Sequence, residues 1–171
     1  MRRLPPNRER FFWQEVRAVC KESRVLQGRA FCQHGDTSVY QHSLHVTYES
    51  CLFAERYHLP VDYSALIRGA LLHDYFLYDW HDKTHMHKRP HGFYHPKAAL
   101  KNAMEDFALT EKEQNIIKRH MFPLTIIPPG CIEAWIVCFV DKVCSTKETL
   151  YRGKILRRRP LLRASKLRKT G

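Results

Sequence analysis

The sequence predicts an all-α domain of about six helices, and three observations carry that prediction. Apolar residues recur at helical spacing through most of the 171 residues, and capping or breaking residues separate the segments. No period-2 strand of useful length interrupts them, and there are no internal repeats. Glycine is scarce, at seven. With 44% apolar and 12% aromatic residues the chain can bury one core, and its length allows one ordinary domain.

The elements follow in order. Asn7 can cap a first helix through Phe11, Phe12, Val16 and Val19, with Gly28 suited to its C′ position. Asp36, Thr37 or Ser38 can cap a second, carrying Val39, Leu44, Val46, Cys51, Leu52 and Phe53 before Pro60. Asp62 opens a third through Ala65, Leu66, Ile67, Ala70, Leu71 and Leu72. Pro96 fits the first turn of a fourth, running to about Ala108, because no donor is needed there. Thr110 and Glu113 form a capping box for a fifth, ending near Met121. Pro128-Pro129-Gly130 breaks the chain, and a sixth helix runs from Cys131 to about Tyr151.

The net charge of +12 is unevenly spread. Nine of the 29 Lys and Arg residues, and no acid, lie between Arg152 and Gly171. The division is a helical domain over 1–151 and a basic tail over 152–171, and the tail's charge does not bear on the body's chemistry. The longest apolar run, Ala134 to Val140, is far short of a bilayer span, so no membrane association is expected. Basic residues near the N-terminus have no apolar segment behind them, unlike a secretory signal. Six cysteines without a CxxC pair suit buried thiols in a reducing compartment, which points to the cytoplasm.

Eleven histidines stand out, seven of them between His58 and His95. The segment from Tyr75 to Tyr94 is a long, aromatic, histidine-rich connection, and long ordered connections are often functional. His42 lies in the second helix, and the third carries the apolar Ala70-Leu71-Leu72 into His73-Asp74, adjacent residues about 100° apart on a helix. His95 precedes Pro96, His120 falls in the last turn of the fifth helix, and Asp141 follows the apolar stretch of the sixth. A carboxylate beside so apolar a segment is costly to desolvate unless a cation, a metal or several donors meet it. Taken singly, each of these residues is more often a satisfied core or surface group than a ligand.

Their order, His42, His73-Asp74, His95, His120, Asp141, resembles the HD-domain superfamily of metal-dependent phosphohydrolases, defined by a His…His-Asp…Asp set on a helical core. The local contexts agree: His-Ser-x-x-Val at His42, Leu-Leu-His-Asp at 71–74, His-Pro at 95–96, Ile-x-x-His at 117–120 and Val-Asp-Lys at 140–142. The resemblance spans about residues 36 to 145 and implies an HD-domain helical bundle. The two interpolated histidines are similar to those of dinuclear subfamilies. By that resemblance His42, His73 and Asp141 hold one metal, His95 and His120 a second, and Asp74 bridges them. Two departures narrow the match. No Lys follows His73-Asp74 at the His-Asp-x-Gly-Lys position, and the Gly-Tyr-Pro segment of the cyclic-dinucleotide branch is absent after His120. The pattern is closer to bacterial single-domain HD proteins.

Such a ligand set suits divalent transition metals, with Fe first and Mn, Zn, Ni or Co as alternatives, and disfavours the oxygen-seeking Mg. Two ions can activate a hydroxide while polarising a phosphoryl oxygen, so no Ser or Cys nucleophile is required. The expected substrate is a small phosphate ester, a nucleotide foremost. Beside Asp74, the candidate catalytic residues are Arg89 and Lys97, to meet phosphate charge, and His91, to protonate a leaving oxygen. Tyr78 and Trp80 can stack on a base. Each reads equally well as loop packing or solvated charge. Two other readings stay open: a nucleic-acid or ribosome-associated binder using the tail for non-specific phosphate contacts, and a metal-binding HD sensor without turnover.

Overall fold

The computed structural model describes residues 3–34, 37–78 and 91–151, and among them six α-helices carry nearly all the regular structure. They are α1 (Pro6–Glu22), α2 (Val39–Arg56), α3 (Tyr63–Leu71), α4 (His91–Asp106), α5 (Glu111–Arg119) and α6 (Ile132–Tyr151). The basic tail and Arg89 lie outside the described residues, and of His91 only the backbone is described. No helix among the described residues is long and apolar enough to cross a membrane.

α2 is the central element. It packs against both α3 and α6, while α5 closes the other side of α3 and α6, α1 lies on α3, and α4 lies on α5. Its residues from Val39 to Tyr48 are buried on nearly every side except Gln41, which explains why His42 and His45 lie inside the molecule. Phe12, Leu66, Ile67, Leu71, Ile116, Ile117, Ala134 and Val137 fill the space between the helices.

The helix starts obey the caps. Ser38 and Gln41 form a reciprocal capping box on α2, Thr110 and Glu113 do the same on α5, and Asp62 accepts from Ala65 N–H on α3. Each such cap contributes about 1 kcal/mol.

Three helix boundaries differ from the sequence expectation, and a short ribbon is added. α1 stops at Glu22 rather than Gly28, because the Ser23 hydroxyl donates to Val19 O and accepts from Val25 N–H, replacing helical partners with its own. A 3₁₀ turn, Val25–Arg29, follows. α3 ends at Leu71, so His73 and Asp74 sit in the turn beyond it and not on a helix. α4 begins at His91, with Pro96 inside it. A proline gives up its own N–H and crowds the carbonyl four residues earlier, yet the turn ahead of it is helical here. Finally, an antiparallel ribbon, β1 (Cys32–His34) and β2 (Thr37–Ser38), pairs Cys32 with Ser38 ahead of α2. It is too short to leave an alternating pattern in the sequence.

α6 reads as apolar all round, yet only part of that girth is buried. Ala134, Ile136, Val137, Cys138 and Val140 face the core, while Trp135 and Phe139 stand about half exposed. Trp135 meets Phe122 edge-on, and Phe139 rests on Phe53. All six cysteines are free, as expected of a chain without a disulfide framework.

Candidate metal centre

Five separate elements deliver six side chains to one point. His42 comes from the first turns of α2, and His73 and Asp74 from the turn after α3. His95 lies one turn into α4, His120 caps the C-terminus of α5, and Asp141 lies midway along α6. All six are buried, Asp141 being the most accessible at 7%. The turn after α3 is fastened by the next residue. The Tyr75 hydroxyl donates to Asp106 and accepts from Arg24 N–H, while Asn102 Nδ2 donates to Tyr75 O. These bonds tie Asp74 to α4 and to the end of α1.

The six converge through particular atoms. His42 Nε2 lies 3.0 Å from Asp141 Oδ1 and 3.8 Å from Asp74 Oδ2. His73 Nε2 lies 3.4 Å from Asp74 Oδ2 and 3.7 Å from Asp141 Oδ1. On the other side, His95 Nε2 and His120 Nε2 are 3.1 and 3.6 Å from Asp74 Oδ1. The two oxygens of Asp74 thus face different imidazole pairs. Three overlapping triads, His42–His73–Asp74, His73–His120–Asp141 and Asp74–His95–His120, each bring their ligand atoms within 4.8 Å of one another.

The opposite edges of the rings explain why Nε2 is the inward atom. His73 Nδ1 donates to Ala70 O at 2.7 Å, and His120 Nδ1 to Ile117 O at 2.8 Å. His42 Nδ1 donates to Glu148 Oε2 at 2.8 Å. A ring whose Nδ1 proton is engaged presents an Nε2 lone pair when neutral, which is how histidine ligands are oriented. Both carbonyl acceptors lie three residues before their histidine, so the helix end itself sets the ring angle.

Divalent ions fit these residues. His73 Nε2 and Asp74 Oδ1 are buried without a hydrogen-bond partner, although other polar atoms surround them. Buried polar atoms left this way are costly, and a cation among them would satisfy both. The donor set, four imidazole nitrogens and two carboxylates, is that of first-row transition metals.

The electrostatics are those of a tightly packed charge cluster. Burial pushes the Asp74 carboxyl up, but His73 and His95 outweigh it and hold it well below the usual range. Asp141 is likewise held down against burial by His42 and His73. Burial opposes charge on His42, yet its bonds to Asp141 and Glu148 raise it to about 9. His73 is raised well above its ordinary value by Asp74 and Asp141, again against burial. His120 goes the other way: burial and the neighbouring His73 and His95 push it down to about 3.

Four of the six, Asp74, His95, His120 and Asp141, line a cleft of about 720 Å³. Its lining is completed by Gly92, Met121, Pro123 and Leu124, which are apolar, and by Lys142, Ser145 and Thr146 of α6 with Gln33 of β1. Lys97 is exposed on α4 and does not line this cleft. Lys142 does, its Nζ donating to His120 O at 2.9 Å and to Cys138 O at 3.1 Å.

Two further residues touch the cluster that the sequence reading did not single out. Glu148, two turns beyond Asp141 on α6, accepts from His42 and from His45 Nδ1 at 3.0 Å. Gln33, on β1, donates from Nε2 to Asp74 Oδ2 at 2.6 Å. The seven-residue interval from Asp141 to Glu148 does place both on one helical face, which is the only trace that sequence reading could have used.

No curated protein and no solved structure matches the chain. A family model does: HD domain, over residues 39–146, well over half of the chain and including all six converging side chains. Helical fold, buried histidine–aspartate cluster and family match agree, and the chain belongs to the HD domain family, whose members are generally metal-dependent hydrolases.

Proposed function

We propose that the protein is a metal-dependent phosphohydrolase that cleaves a small phosphate ester, a nucleotide foremost, with two ions held by His42, His73 and Asp141 on one side and His95 and His120 on the other. The observation that carries this reading is the division of Asp74, whose Oδ2 faces His42 and His73 while Oδ1 faces His95 and His120. That division suits a bridging carboxylate. When bound, the ions supply Lewis acidity toward a phosphoryl oxygen and acidify water for the attack.

The chain's own residues do the rest. Glu148, Ala70 O and Ile117 O fix three rings so that their Nε2 atoms face inward without reorganisation. Met121, Pro123 and Leu124 offer an apolar lining for the ester's organic part, while Lys142 brings positive charge to the same cleft. The Ser145 hydroxyl donates to Asp141 Oδ1 at 3.2 Å and so helps to hold that carboxylate in place. Cleavage by water directly needs no covalent intermediate.

Metal analysis of anaerobically purified protein, beside a phosphate-release screen over nucleotides, dinucleotides and phosphomonoesters, tests the proposal. The expected result is bound transition metal and turnover in at least one class. Protein that neither carries nor takes up a divalent metal would overturn it.

A further inference from the structure

Gln33 stands outside the span that matches the family, on a ribbon preceding α2, yet it reaches the middle of the cluster. It is 7% exposed and lines the cleft beside Asp74, His95, His120 and Asp141. Its amide orientation is fixed by chemistry: the atom 2.6 Å from a carboxylate oxygen must be the donor, Nε2. The other amide atom, Oε1, is then an acceptor, and it is buried with no partner. A residue that served only to steady Asp74 would be complete with Nε2 alone. A buried amide oxygen without a donor is costly, and at the edge of a reaction cleft it marks where a donor from a ligand or water belongs.

We infer that Gln33 is a further working residue of the site: Nε2 positions the carboxylate of Asp74, and Oε1 accepts a hydrogen bond from the attacking water. The inference rests on the hydrolytic reading of the cleft for its second half only. The first half concerns Asp74 and holds whatever the reaction. Gln33 takes no proton and forms no bond. Its contribution is to hold the water's lone pair toward the phosphorus, an orientation effect of the kind that is lost when an acceptor is removed.

The test replaces Gln33 by Met, which keeps the length and deletes both polar atoms, in the full chain loaded with Co(II). Three quantities are read: metal per protein, the visible Co(II) spectrum, and kcat and KM for bis(p-nitrophenyl) phosphate. The expected result for Q33M is an unchanged metal ratio, a shifted Co(II) spectrum and a kcat lower by about a hundredfold with KM within about twofold. Should Q33M fail to fold, Gln33→Glu, which is polar but cannot donate to Asp74 when ionised, gives the same spectral readout. A Co(II) spectrum identical to wild type, or a kcat within threefold of it, overturns the inference, and so does loss of metal, which would make Gln33 a structural support. A wild-type protein that binds Co(II) but cleaves no phosphate ester would count against the hydrolytic reading and the water contact together. The spectrum would still decide the role toward Asp74.

Discussion

Glu148 accepts from Nδ1 of His42 at 2.8 Å, so a carboxylate on α6 sets the ring orientation of a histidine on α2. The same carboxylate holds His45 at 3.0 Å, and these two bonds, outweighing burial, keep it down at about 2. The bond makes the α2–α6 interface part of the metal centre, because His42 Nε2 is aimed at Asp141 from the other edge of the same ring.

Replacing Glu148 by Gln removes the charge but keeps the shape. A supporting carboxylate of this kind is worth about ten- to a hundredfold in metal affinity. Competition titration with a chromogenic chelator should show that loss in Glu148→Gln, with the far-ultraviolet dichroism of a folded helical protein. Unchanged affinity would remove Glu148 from the account of the site.

Gly69 lies where α3 crosses α5, the helices that lead into His73 and carry His120. A Cβ there would sit 2.6 Å from Ile116 Cδ1 and 3.0 Å from Ile116 Cβ. Gly69→Ala gains about 0.5–1 kcal/mol of helix preference but incurs overpacking of about 1–3 kcal/mol, so the second effect wins. Its melting temperature should fall, and trimming the neighbour in Gly69→Ala/Ile116→Val should recover part of the loss. A Gly69→Ala protein as stable as wild type would show that α3 and α5 can separate freely.

Away from the site, Glu133 gives the chain a defined acid limb. Burial pushes its carboxyl up, but Asp62 N–H at 2.8 Å and Lys112 Nζ at 3.0 Å outweigh that and hold it below its usual value of 4.5. A carboxyl depressed in the folded state contributes its stability fully above the unfolded value, and that stability is lost as pH falls through the folded one. Glu133→Gln should therefore melt lower than wild type at pH 7, and the gap should close as pH drops below about 4.5. A gap that is constant with pH would mean that the charge contributes nothing.

Much of this was legible in the sequence because caps and apolar spacing act locally. Thr110 with Glu113, Ser38 and Asp62 announce their helices through bonds made within one turn. The six converging residues were legible through their order along the chain. What lay hidden were relationships made across space. Nothing near Gln33 or Glu148 in the chain distinguishes them from solvated polar residues, and their roles exist only once β1 and α6 lie beside Asp74 and His42. Nor could the sequence tell that His73 and Asp74 sit in a turn, since Leu72 continues the apolar pattern past the last helical residue. Lys97 carried the right charge at the right place in the chain, but its helix turns it to solvent, and Lys142 lines the cleft instead.

Counting the bound metal decides between a two-metal site joined by Asp74 and a single ion. His95 and His120 are the imidazoles that face Asp74 Oδ1, where their Nε2 atoms lie 2.8 Å apart. Metal-to-protein ratios should be near two for wild type and near one for His95→Ala and His120→Ala, with most activity lost in both variants. A wild-type ratio near one, unchanged in the two variants, would contradict the account and leave a single ion held by His42, His73, Asp74 and Asp141.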